Sequence, residues 1–151
     1  MKDLETITLV EDFIEKMGMN AQGDGLPRIS GKIFGLLLIE TGPFSFQEIS
    51  ERLSVSRGSV STNTRLLENL GIIDRLAVKG ERGDFFQLAH APFTKLLEGV
   101  FKRMEKSIST VQEAQQAIPK SWKKSHERLA DLQNFYSEYL HSTELLIQKL
   151  T

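Results

Sequence analysis

The chain has 151 residues, 40% of them hydrophobic and 26% charged, with a formal net charge of −1. That length supports one hydrophobic core, and so balanced a charge excludes nucleic-acid affinity through bulk charge; any such site needs local clustering. The absence of cysteine excludes disulfides, thiolate metal sites and cysteine nucleophiles together.

The N-terminus is acidic and amphipathic, which speaks against a secretory signal. Leu4, Ile7, Val10, Ile14 and Met17 recur at helical spacing between Asp3, Glu5, Glu11, Asp12 and Glu15, so a first amphipathic helix is expected. Gly18 to Gly25, rich in Gly, Asn and Asp, reads as a loop. Pro27 suits the first turn of a second helix running to about Glu40, with Ile33, Leu36, Leu37 and Ile39 buried. Ile33 to Ile39 is also the longest strongly apolar run, far too short to cross a bilayer, and a cytoplasmic location is expected. Gly31 and Gly35 lie four apart on one face, where another helix or strand can come close.

Thr41-Gly42-Pro43 ends that helix. Ser45 and Glu48 make a capping box for a short third helix ending near Leu53. Ser54-Val55-Ser56 is a turn, Ser56 caps a fourth helix to Leu70, and Gly71 stands where a left-handed C-terminal cap belongs. Val60, Leu67 and Leu70 point inward. Ile72 to Val78 and Asp84 to Leu88 are short apolar runs around Lys79-Gly80-Glu81-Arg82-Gly83, a hairpin pattern. Phe93, Leu97, Val100, Met104, Val111, Ala114 and Ile118 define a fifth helix ended by Pro119. Trp122, Leu129, Leu132, Tyr136, Tyr139, Thr143, Leu146 and Leu150 define a sixth, its stripe widened by Phe135, Leu140 and Ile147.

Phe46 to Leu88 therefore places two short helices around a serine turn, then a hairpin with a basic tip. On the fourth helix the outward set is Arg57, Gly58, Ser59, Ser61, Thr62, Asn63 and Arg65. Hydroxyls bond phosphates or base edges, asparagine pairs with adenine and arginine forks onto guanine. Gly58 and Ser59 let the helix N-terminus approach phosphate. No acidic residue falls between Glu51 and Glu68, while Arg52, Arg57, Arg65, Arg75, Lys79 and Arg82 supply a local basic patch. Any one of these residues alone is equally a cap or a solvated surface group; the ensemble points to DNA.

These residues carry a resemblance. GLPRISGKIFGLLLIE, VSRGSVSTNTRLLENLG and KGERGDFF resemble the winged helix-turn-helix domain of the MarR superfamily of bacterial regulators, and more closely its GbsR-like branch, over about residues 25 to 90. The resemblance implies a homodimer whose recognition helices enter successive major grooves, with Ser56 to Arg65 reading and Lys79 and Arg82 on the wing. Gly83 departs from the pattern, standing where many relatives have a second basic residue.

The expected fold is mainly α with a small β-hairpin wing: a winged helix-turn-helix at 26–90, an N-terminal dimerisation helix and loop at 1–25, and a C-terminal helical dimerisation region at 91–151. The long apolar stripe of the last helix needs a cover that the winged core does not supply. Leu4, Ile7, Ile14, Leu129, Leu132, Tyr136, Tyr139, Leu146 and Leu150 are the candidate dimer interface. The function expected is that of a dimeric, sequence-specific transcriptional regulator, a repressor bound to a pseudo-palindromic operator in double-stranded DNA. The alternative is a protein-interaction module on a winged-helix scaffold that has lost DNA binding. Phe101, Trp122, Tyr136 and Tyr139 are candidates to line an effector pocket. Relatives in the GbsR-like branch are associated with choline-type osmoprotectants, and aromatic boxes suit quaternary ammonium groups; aromatic residues at helical spacing are equally interface core.

Other signals are weak. Gly25 to Lys32 misses the phosphate-loop spacing by one residue and has Ile33 where a hydroxyl is required. His90, His126 and His141 lack ligand spacing. Neither a nucleophile–base pair nor a metal cluster is visible, so no enzyme, metal or cofactor is expected.

Overall fold

The computed structural model of the chain describes residues 3–151, which form six α-helices and a three-stranded antiparallel sheet. They divide into two compact units, Met1–Pro92 and Phe93–Thr151.

The first helix, α1 (Leu4–Gly23), starts on Asp3, whose carboxylate accepts the Thr6 N–H at 2.7 Å and is held below its ordinary pKa by that bond. Of the loop expected from Gly18 to Gly25, the part to Gly23 is helix instead, and only Asp24 and Gly25 turn. Gly18 is there for proximity: a Cβ on it would stand 2.7 Å from Lys32 Cγ and 3.0 Å from the Arg28 carbonyl oxygen. From the other side, a Cβ on Gly31 would run into the Met17 carbonyl oxygen and lie 2.6 Å from Ala21 Cβ. Gly31 and Gly35 thus bring a second helix close, as their spacing indicates, and that helix is α1.

The second helix, α2 (Arg28–Ile39), follows Pro27 and buries Ile33, Leu36 and Leu37. Ile39, expected in the core, is 42% exposed because it lies with Leu38 on the outward side of the helix end, opposite Leu36 and Leu37. A two-residue strand, β1 (Phe44–Ser45), leads into α3 (Phe46–Leu53). The capping box forms as expected: Ser45 Oγ accepts the Glu48 N–H at 3.1 Å, and the Glu48 carboxylate accepts the Ser45 N–H at 2.9 Å.

Ser54 turns the chain in the left-handed region, at φ 54°, and Ser56 Oγ accepts the Ser59 N–H at 3.1 Å to begin α4 (Arg57–Asn69). Gly71, at φ 80°, releases the chain into β2 (Ile73–Leu76). β3 (Phe85–Leu88) returns antiparallel, pairing Ile73 with Leu88 and Leu76 with Phe85. The sheet order is β1-β3-β2, so β1 covers the far edge of the hairpin through Phe44 opposite Phe86. Two residues are too short a run for alternation to reveal, and β1 was not expected.

The core of this unit gathers Ile14, Ile33, Leu36, Ile49, Val60, Leu67, Ile73 and Phe86; Phe46 meets Phe86 edge-on at 5.1 Å. Leu70, expected inward with Val60 and Leu67, is half-buried at the end of α4. Ile14 corrects the expected dimer interface. At 1% exposure it is enclosed by its own chain and has no surface to offer a partner.

In the second unit, α5 (Pro92–Ala117) and α6 (Lys123–Leu150) flank a short turn after Ile118. His126 donates from Nε2 toward the Ile118 and Pro119 carbonyls, 3.3 Å from each, tying the turn to α6. Val111 and Thr143 are buried, whereas Leu132, Phe135, Tyr139, Leu146 and Leu150 stay exposed.

Candidate nucleic-acid interface

Capping decides which way α4 faces. Ser56 fixes its start, and Val60, Thr64 and Leu67 fill one side of the helix against the core. That rotation leaves Arg57, Gly58, Thr62 and Arg65 exposed, with Ser59 and Ser61 half-buried at the margin. Ser56 Oγ and Ser59 Oγ stand 3.0 Å apart, so the first turn presents a paired hydroxyl edge.

Asn63 is a correction. It was assigned to the outward, reading face, but it is 5% exposed. Its amide Nδ2 donates to the Ser59 carbonyl at 2.8 Å, and its Oδ1 is buried without a partner. The spacing could have said so: positions 60, 63, 64 and 67 share one helical face, and Asn63 goes in with Val60 and Leu67.

The hairpin tip stands beside the helix-turn-helix. Gly80 at φ 85° and Gly83 at φ 81° carry it through backbone that L side chains rarely adopt, and neither glycine has a neighbouring atom that a Cβ would meet. Lys79 and Arg82 are exposed there. Arg57 and Arg82 line one cleft of about 320 Å³ between the start of α3 and the tip, together with Glu48, Glu81 and Asp84. Among the described residues, Arg57, Arg65, Lys79 and Arg82 make no ion pair.

The other two arginines of the expected basic patch are committed inside the fold. Arg52 bonds Glu40 at 2.7 Å and also Glu11, fastening α3 to α1 and to the end of α2. Burial alone would lower its pKa, but the two carboxylates more than compensate and hold it above its ordinary value. Arg75 holds Glu68 at 2.8 Å and Asp84 at 2.8 Å. Its pKa is raised, chiefly by the Glu68 hydrogen bond. Both belong to the scaffold, and single-residue charge counting could not separate them from the four unpaired cations.

The expected interface and effector residues lie as follows. Leu4 is 83% exposed, and Ile7, Leu132, Tyr139, Leu146 and Leu150 are exposed; Leu129 and Tyr136 are half-buried. Phe135 touches Tyr136 and Tyr139, with ring centres 5.9 and 6.0 Å apart. Phe101 does not join them. It lines a cleft of about 400 Å³ with Glu98, Lys102, Glu105, Glu144 and Ile147, while Trp122 caps α6 beyond the far end of α5, about 24 Å of helix from Phe101. Of the four aromatic residues expected to line an effector pocket, only Phe101 lines this cleft. Among the described residues no cluster of His, Asp and Glu could hold a metal, and no helix is long and apolar enough to cross a membrane.

No family model matches the chain. It is 38% identical over 80 residues to the HTH-type transcriptional regulator MmpR5 of Mycobacterium tuberculosis, a match covering 52% of this chain and 48% of that protein, so the chain spans about half of that relative's length. It is 24% identical over 145 residues to the HTH-type transcriptional repressor OpcR of Bacillus subtilis, covering 87% of this chain and 76% of that one. A solved structure described as a transcriptional regulator superposes with a TM-score of 0.84 at 25% identity, covering 93% of this chain and 96% of the other. The fold is that of winged helix-turn-helix transcriptional regulators, mainly helical with a small antiparallel sheet.

Proposed function

We propose that this chain is a sequence-specific DNA-binding transcriptional regulator of the MarR superfamily, in its GbsR-like branch. It acts in the cytoplasm as a homodimer on a pseudo-palindromic operator and represses the genes it controls. One observation carries the reading. Of six basic residues between Arg52 and Arg82, the two that pair are those that hold the scaffold, and Arg57, Arg65, Lys79 and Arg82, on the recognition helix and wing, are unpaired. Four unpaired cations on the recognition helix and wing of a near-neutral chain suit phosphate and guanine edges.

The homodimer is supported by the exposed stripe Leu132, Tyr139, Leu146 and Leu150 on α6 and by the exposed Leu4 and Ile7 on α1. Two recognition helices related by a two-fold axis would meet half-sites about 34 Å apart. A small-molecule effector would relieve repression by favouring a spacing that misses successive grooves.

The test is selection of bound fragments from a genomic library at increasing salt. A regulator selects a pseudo-palindrome and loses affinity log-linearly, with a slope of about −0.9 per phosphate contacted. Binding that is absent, or indifferent to salt, overturns the proposal and leaves the protein-interaction module as the reading.

A further inference from the structure

Asn63 is the one buried side chain, among the described residues, with a polar atom left without a hydrogen-bond partner. Its orientation is not free to relieve this. Nδ2 donates to the Ser59 carbonyl at 2.8 Å, and turning the carboxamide over would set Oδ1 against that oxygen. The Ser59 carbonyl already serves the i→i−4 ladder of α4, so Asn63 gives it a second donor. Thr64 does the same one residue on, its hydroxyl donating to the Val60 carbonyl at 2.7 Å. Two consecutive buried side chains thus load the carbonyls of the turn that carries Ser59 and Val60. Back-bonding of this kind, as by Thr64, slightly destabilises and often bends a helix.

For stability alone, an apolar residue at 63 would serve better. A buried acceptor with no donor keeps its full desolvation penalty, whereas a side chain of similar shape without polar atoms does not. A residue that weakens its own core in the middle of a recognition helix points to a task elsewhere, and the task at hand is the turn it grips. Ser56, Arg57 and Ser59, the hydroxyl and guanidinium groups at the head of α4, hang from that turn.

We infer that Asn63 is a positioning residue for the head of α4: it sets the first turn of the recognition helix at the expense of core stability and never touches DNA itself. This rests on the DNA-binding reading for its consequence, though not for its structural half. Base-edge contacts depend on placement to a fraction of an ångström, so the effect belongs in discrimination between sequences and not in the number of phosphates neutralised.

The experiment compares the full chain with Asn63→Ala and Asn63→Leu, the second guarding against a cavity effect in the first. Three readouts are taken: thermal unfolding, binding to the selected operator and to single-base variants across salt, and the amide signals of residues 56–61. Asn63→Leu is expected to unfold at the same temperature or a few degrees higher. Operator affinity falls about tenfold and single-base discrimination shrinks, with an unchanged salt slope. The amide signals of the first turn shift. A melting temperature lowered in both variants overturns the inference, since Oδ1 is then satisfied and Asn63 is structural. Unchanged discrimination and unmoved amide signals overturn it equally. Should the parent select no DNA, the proposed function fails separately, and the melting temperature with the amide shifts then decides the positioning role.

Discussion

The guanidinium of Arg75 stands 5.3 Å from the centre of the Phe86 ring while its nitrogens hold Glu68 and Asp84. One side chain thus joins the end of α4, the middle of β2 and the entry to β3 over the largest fully buried residue of the core. Arg75→Ala should destabilise the fold by about 1 kcal/mol, from the lost cation–π contact and two partly exposed ion pairs. The salt slope of the proposed DNA binding should not change, because Glu68 and Asp84 already pair Arg75. Chemical denaturation and a salt titration of binding check the two halves.

Arg82→Ala should behave in the opposite way. Arg82 is exposed and unpaired at the wing tip, so stability should stay within about 0.5 kcal/mol. Binding to all sequences should weaken together, with the salt slope shallower by about 0.9. Arg65→Ala, on the recognition helix, should instead relax specificity at one operator position. Competition binding with a panel of single-base variants separates them.

Two glycine substitutions should diverge. In Gly31→Ala the new methyl meets the Met17 carbonyl and Ala21 with backbone on one side, so α1 must lift from α2 at a cost of about 1–3 kcal/mol. Gly58 has nothing closer to an added Cβ than Ser56 Oγ at 3.9 Å. Gly58→Ala should gain about 0.5–1 kcal/mol of helix stability yet bind operator less tightly, since the methyl lies at the helix N-terminus proposed to approach phosphate. Melting curves and equilibrium binding on both variants test this.

Glu15 accepts from Lys32 at 2.6 Å and Arg28 at 2.9 Å, and these partners, Lys32 first, hold its pKa below the ordinary 4.5. A depressed carboxylate contributes stability that is complete above its unfolded pKa and is lost as pH falls through the folded one. The α1–α2 pair should therefore loosen below about pH 4.5, and Glu15→Gln should flatten that part of the profile. Thermal unfolding between pH 3 and pH 7 gives the comparison.

Leu132→Glu combined with Leu146→Glu should convert the proposed dimer into a monomer without loss of helix, because both side chains are exposed within the chain. Sedimentation and far-ultraviolet circular dichroism should show the change in mass and the preserved helicity. A double variant that stays dimeric would remove α6 from the interface.

Much of this was legible in the sequence because it rests on local chemistry. The Ser45–Glu48 capping box, the Ser56 cap and the left-handed Gly71 depend on residues within a few positions, and each appears where the residues placed it. The misreadings concern distant partners. Gly18 looks like a helix stop until Lys32 and Arg28 are known to lie against it. Arg52 and Arg75 look like DNA cations until Glu11, Glu40, Glu68 and Asp84 claim them. Ile14 looks like an interface residue until the first unit closes over it. Asn63 differs in kind: its chemistry suits a base edge, but its helical phase with Val60 and Leu67 turns it inward.

The contact of Gly31 with the Met17 carbonyl also bears on how such a protein could be recombined. At Gly31 helix α2 offers α1 backbone without a side chain, so a surface replacing α1 would have to approach it as closely. A first unit transplanted into another chain would need α1 with it; cut at Leu26, it would arrive with the backbone at Gly31 uncovered. The structural unit is longer than the helix-turn-helix and wing it displays.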